Sequence, residues 1–165
     1  MRDKYKNALM WGLYAVLFLF AAVFQTVLFG SPRFFGVKLC LLPVVIGCVT
    51  MHTGSESGAI FGLAAGLFWA LTGADAGALF ILLFTVSGAV CGYLCDRYLK
   101  RHIVSALLMA LLALLICQLP FFAVKCYLGS TYWRQIGSVL TQIGLSMAAF
   151  PVIYLISWAI RKVGV

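Results

Sequence analysis

The stretch 54–78, GSESGAIFGLAAGLFWALTGADAGA, puts glycine at 54, 58, 62 and 66 and carries the spacing of four onward through Ala70, Ala74 and Ala78. At about 3.6 residues per helical turn, that spacing stacks the small residues into one slowly drifting stripe. Ile60, Phe61, Leu63, Leu67, Phe68 and Trp69 fall on the other faces. In a soluble helix each interior glycine costs about 1 kcal/mol relative to alanine, so the pattern makes little sense in water. It makes sense in a bilayer, where helices gain little by leaving lipid and associate through close backbone approach at small-xxx-small positions. The stripe either packs within this chain or receives a helix from another protein. Gly54, Gly58, Gly62, Gly66 and Ala70 are the candidate helix-docking residues.

The rest of the composition agrees. The chain has 165 residues, is 64% hydrophobic and only 10% charged, against about 25% charged in a typical soluble domain. This is an all-α integral membrane protein with one membrane domain, 1–165, and no room for a separate soluble domain. The net charge of +8 does not point to nucleic acid, because the basic residues sit in short groups between apolar runs and form no stripe. Apolar periodicity and turn residues predict six spans, at about 8–29, 36–51, 56–72, 76–95, 102–124 and 136–160. The first is too long for the 7–15-residue core of a signal peptide and reads as a retained span. The second and third are short for a core of about 30 Å. Pro43 and Gly47 predict a kinked or partly unwound second helix, and Pro151 predicts a kink in the sixth.

The basic residues also set the orientation. With the N-terminus in the cytoplasm, that side holds Arg2, Lys4, Lys6, Arg97, Lys100, Arg101, Arg161 and Lys162, and the other holds Arg33, Lys38, Lys125 and Arg134. Eight against four places both termini inside. Arg97, Lys100 and Arg101 are the candidate contacts to cytoplasmic partners or anionic lipid.

Catalytic chemistry finds little material. Asp3, Glu56, Asp75 and Asp96 all fall at loops or span edges, and the histidines, His52 and His102, lie at span ends. No metal-ligand spacing occurs, and Ser146, two residues after Gly144, has no histidine after it to act as a base. No catalytic residue, metal or cofactor is expected. The six cysteines form no CxxC pair and read as small packing residues. Gln25, Gln118 and Gln142 can bond between helices. His52 and Glu56, four apart, share a face if the helix is continuous through them, and are the candidate polar contacts for a partner. Their plainer reading is a hydrated turn in which Ser55 or Ser57 caps the third helix.

The run Gly58-Ala59-Ile60-Phe61-Gly62-Leu63-Ala64-Ala65-Gly66-Leu67, followed by Gly77, resembles MreD, the bacterial rod-shape-determining membrane family. So do the six predicted spans in about 165 residues, and the likeness continues through 88–101 and the last two spans. The sequence departs from the family pattern G-F-x-x-G-L-x-x-D at Leu63, where phenylalanine is usual, and at Ala70, where the family has aspartate. The resemblance implies a non-enzymatic scaffold of the cell-elongation machinery in the cytoplasmic membrane. Its partner would be an MreC-like single-span protein and, through it, MreB filaments and the wall synthases. Membrane lipid and a second copy of the chain are further partners such a surface admits. It also implies a fold similar to the substrate-binding S components of energy-coupling-factor vitamin transporters. That kinship supplies the alternative, a vitamin-binding S component, which needs convergent polar groups in a cavity where the scaffold needs an exposed smooth helix face.

Overall fold

The computed structural model describes residues 2–29, 40–71, 77–98, 102–129, 132 and 135–164. These form α1 (Arg2–Phe29), α2 (Leu42–Thr53), α3 (Ser55–Leu71), α4 (Gly77–Tyr98), α5 (Ile103–Tyr127), α6 (Ile136–Ala148) and α7 (Phe150–Gly164). No strand occurs among the described residues. Three stretches among the described residues are long and apolar enough to cross a membrane, Tyr5–Val27, Ala78–Tyr98 and Ile103–Tyr127, and α6–α7 makes up to four if the bent pair is one span. The chain is therefore a multi-pass, all-helical membrane protein. The count of six crossings rests on α2 and α3, which have 12 and 17 residues.

α2 is the centre of the bundle. Every residue from Leu42 to Met51 is buried, and α1, α3, α4, α5 and α7 all pack around it. A helix surrounded on all sides needs no polar face, which is why the buried run 42–51 is apolar apart from Thr50. Thr50 turns its hydroxyl onto the Ile46 carbonyl of its own helix. The same local solution recurs at Thr26, Thr53, Thr85, Ser87 and Ser157, as expected where little water is present to bond a hydroxyl.

Two expectations for α2 are corrected. Pro43 does not kink a longer helix; it stands in the first turn of a shorter one, where its missing N–H costs nothing. Gly47 does not loosen the helix either. A β-carbon there would lie 3.0 Å from the Ala110 Cα, so Gly47 lets α2 and α5 approach backbone to backbone.

The predicted sixth span is broken instead of merely kinked. α6 and α7 meet at Ala149 with a bend of 44°. The proline ring of Pro151 clashes with the carbonyl four residues earlier and removes one N–H, so α6 ends before it and α7 restarts around it.

α4 and α5 run antiparallel in a steady register. Phe80 meets Phe121 with ring centroids 4.8 Å apart, Cys117 Sγ points at the Leu83 carbonyl and Cys91 Sγ at the Met109 carbonyl. Cys95 Sγ reaches the Met51 carbonyl at 3.6 Å. The cysteines are free thiols that fill small gaps, as expected, and also bond weakly across helix pairs.

Candidate functional site

The small-residue stripe faces inward, onto α4. Gly58, Gly62 and Gly66 are buried. A β-carbon at Gly62 would overlap the Phe84 carbonyl oxygen, and one at Gly66 would lie 2.7 Å from the Ile81 Cα. The second glycine pair answers it: Gly88 abuts the Gly58 carbonyl and Gly92 abuts the Ser55 backbone. At Gly62, Gly66, Gly88 and Gly92 backbone thus meets backbone across the α3–α4 seam, while Gly58 also makes room for the Thr50 methyl of α2. At these positions the stripe is an internal seam, and the expectation that it receives a foreign helix there is corrected. The periodicity was informative about close approach and silent about which helix approaches. Ala70, half-buried, lies toward the end of the seam and Gly54 lies beyond its start.

Gly54 has a different task. Its φ of +92° is in the left-handed region that favours glycine, and this single residue turns the chain from α2 into α3. The turn separates the two candidate polar contacts. Glu56 is exposed on the first turn of α3, whereas the His52 ring, on the last turn of α2, lies 6.3 Å from that of Tyr154 on α7. They do not share a helix face, because the helix is not continuous through Gly54.

The cap of α3 is neither serine. Asp96, near the end of α4, accepts the Ser55 N–H through Oδ2 at 3.0 Å. A carboxylate at a helix N-terminus also complements the helix dipole. Because the two residues are 41 apart in sequence, no local pattern reveals the pair. Asp96→Ala should lower stability by about 1 kcal/mol, in the usual range for losing an N-cap, and Asp96→Asn should retain most of it. Chemical unfolding in mild detergent reads both.

Cations fold back onto aromatic rings one turn earlier at the ends of three helices. Arg97 bonds the Tyr93 hydroxyl at 3.2 Å, Lys162 Nζ stands 3.9 Å from the Trp158 ring centroid and Lys125 Nζ 4.5 Å from that of Phe121. Such aromatic and basic residues mark membrane–water boundaries. Along α5 the rise from Ile103 to Lys125 is about 33 Å, close to the hydrocarbon thickness of about 30 Å. Lys100 and Arg101 lie outside the described residues.

Against that slab, α2 begins inside the membrane. The Cys40 thiol meets Gln118 of α5, which is seven residues, or about 10 Å, short of Lys125. Backbone N–H groups exposed at such a depth each cost several kcal/mol, and three are satisfied by side chains from other helices. Gln25 of α1 accepts from Leu41 and Leu42 at 2.8 and 3.4 Å, and Ser146 of α6 accepts from Cys40 at 3.0 Å. Gln25 is therefore the interhelical bond the sequence predicts. Ser146, of interest in the sequence only as a nucleophile without a base, is a hydrogen-bond acceptor for α2. At the other end of the bundle the fully buried Tyr14 hydroxyl has no hydrogen-bond partner among the described residues.

A second small-residue face is open. On α6, Val139, Ile143 and Ser146 are buried, while Gly137, Leu140, Thr141, Gly144 and Ala148 are exposed. The spacing 137, 141, 144, 148 follows one helix face. Nothing in the described residues lies within 4 Å of a β-carbon built at Gly137 or Gly144. Thr141 keeps its hydroxyl on the Gly137 carbonyl at 2.9 Å. Gly12 of α1, with Ala8 and Ala15, makes a shorter open face around a single glycine. No group of three metal-ligating side chains occurs among the described residues. Comparison with family models, curated proteins and solved structures finds no match to the chain.

Proposed function

We propose that the chain is a non-enzymatic scaffold of the bacterial inner membrane that receives the spanning helix of an MreC-like partner on the outer face of α6, supporting rod shape and lateral wall synthesis. The observation that carries this reading is the open pair Gly137 and Gly144. In lipid, where apolar surface alone gives no preference for a protein neighbour, a smooth backbone-exposing face is what selects a helix over an acyl chain. Both termini lie in the cytoplasm. Arg97 faces the cytoplasmic leaflet, and Glu56 is available to a basic segment flanking the partner's span.

The vitamin-binding reading requires polar groups turned toward a ligand. The buried polar groups at the start of α2 are instead bonded to one another, which favours the scaffold. Gly137→Leu and Gly144→Leu should cut recovery of a co-expressed MreC-like protein about tenfold or more, as interface overpacking does, and change stability by less than about 0.5 kcal/mol, as for substitutions away from packed features. Affinity purification from native membranes checks the first and unfolding in detergent the second. Undiminished recovery would remove α6 as the docking face.

A further inference from the structure

Three features of α6 combine. It joins α7 through one non-helical residue at a 44° bend, and it packs on α5 and α7 along a narrow inner face. On that inner face, Ser146 takes the Cys40 N–H, although Cys40 precedes the most buried helix of the protein. The side chain of Ser146 is wholly buried, and its backbone carbonyl accepts the Ala149 N–H at 3.2 Å. Its hydroxyl side and its carbonyl side therefore tie α2 and the bend to the same residue.

We propose that Ser146 is a latch between two positions of α6: swinging α6 about Ala149 releases the Cys40 N–H, and seating α6 restores it. The neighbouring N–H groups of Leu41 and Leu42 belong to Gln25 of α1, so the backbone at the start of α2 is pinned once by a long continuous helix and once by a short hinged one, while the Cys40 thiol rests on Gln118 of α5. Only the second pin moves with α6. A released backbone N–H at this depth has little water to bond, which makes the two positions discrete and links whatever sits on the outer face of α6 to the core helix α2. As a regulatory role this rests on the docking reading above, but the latch itself is testable without any partner.

Amide hydrogen exchange of the full chain in lipid nanodiscs reads it. Ser146→Ala should speed exchange at Cys40 and along 139–148 by about tenfold, the effect of losing one buried hydrogen bond, with α3 and α4 unchanged. Ser146→Thr, which keeps the hydroxyl, should restore the wild-type pattern. Ser146→Cys, oxidised to a disulfide with Cys40, should slow exchange along 139–148 below wild type. Acceleration at Cys40 alone, uniform acceleration of the whole bundle, or a crosslink that leaves α6 exchange unchanged would each overturn the latch. A working latch with unimpaired partner recovery in Gly144→Leu would fail the docking reading only.

Discussion

Gly62→Leu is expected to break the bundle at the α3–α4 seam. Even a β-carbon at this position overlaps the Phe84 carbonyl oxygen, and the obstacle is backbone, which cannot rotate aside. Overpacking a well-filled site typically costs 1–3 kcal/mol; with three further carbons directed at a helix axis the loss should be at least about 3 kcal/mol, the upper end of that range. Gly62→Ala should lose less, with the same sign. The measurement is unfolding in mild detergent, followed by helical signal. A stable, fully helical Gly62→Leu protein would mean that α3 and α4 do not meet along the glycine faces.

Gln25→Leu is the second large effect, and it acts through the backbone of another helix. One side-chain oxygen serves two N–H groups, those of Leu41 and Leu42. Leucine preserves bulk and apolarity but leaves both donors unpaired in a buried site, at about 1–3 kcal/mol each. The expected loss is about 2–4 kcal/mol, toward the lower part of that combined range because the start of α2 can relax. Faster amide exchange at Leu41 and Leu42 should accompany it. Unchanged stability with unchanged exchange would show that these donors have another acceptor.

Much of this architecture was legible because it is written in local spacing. The four-residue repeat of glycine from 54 to 66 identified a helix built for close approach, and the apolar runs located α4 and α5 within three residues and the end of α1, whose start at Arg2 lies six residues before the expected one. Pro151 marked the break in the last span, although the ring ends α6 where the sequence implied only a bend. What local spacing lacks is the identity of the neighbour. Gly58, Gly62 and Gly66 would show the same periodicity whether they met α4 or a foreign helix, and only the answering glycines, Gly88 and Gly92, hint at the outcome. Asp96 and Ser55, Gln25 and Leu41, Ser146 and Cys40 are pairs made by folding, each between residues far apart in the chain. The depth at which α2 begins was likewise hidden, since an apolar run does not record where it starts relative to the bilayer.

The face of α6 shows the converse. Its small residues Gly137, Thr141, Gly144 and Ala148 follow a mixed four-and-three spacing, so they do not stand out beside the regular stripe. Exposure, not periodicity, singles them out. A helix with one side committed to α5 and, on the other, two glycines with no described residue within 4 Å of an added β-carbon has the form the stripe was expected to have.

One glycine face of this membrane protein is an internal seam between α3 and α4, and the proposed docking role falls to the other, on α6. The most direct measurement is recovery of a co-expressed MreC-like single-span protein with tagged Gly144→Leu chain from native membranes, after wild-type insertion and stability have been verified for the variant. The expected result is a folded protein that brings down about a tenth of the partner or less, as for loss of a well-packed interface. Recovery equal to wild type from that folded variant would contradict it.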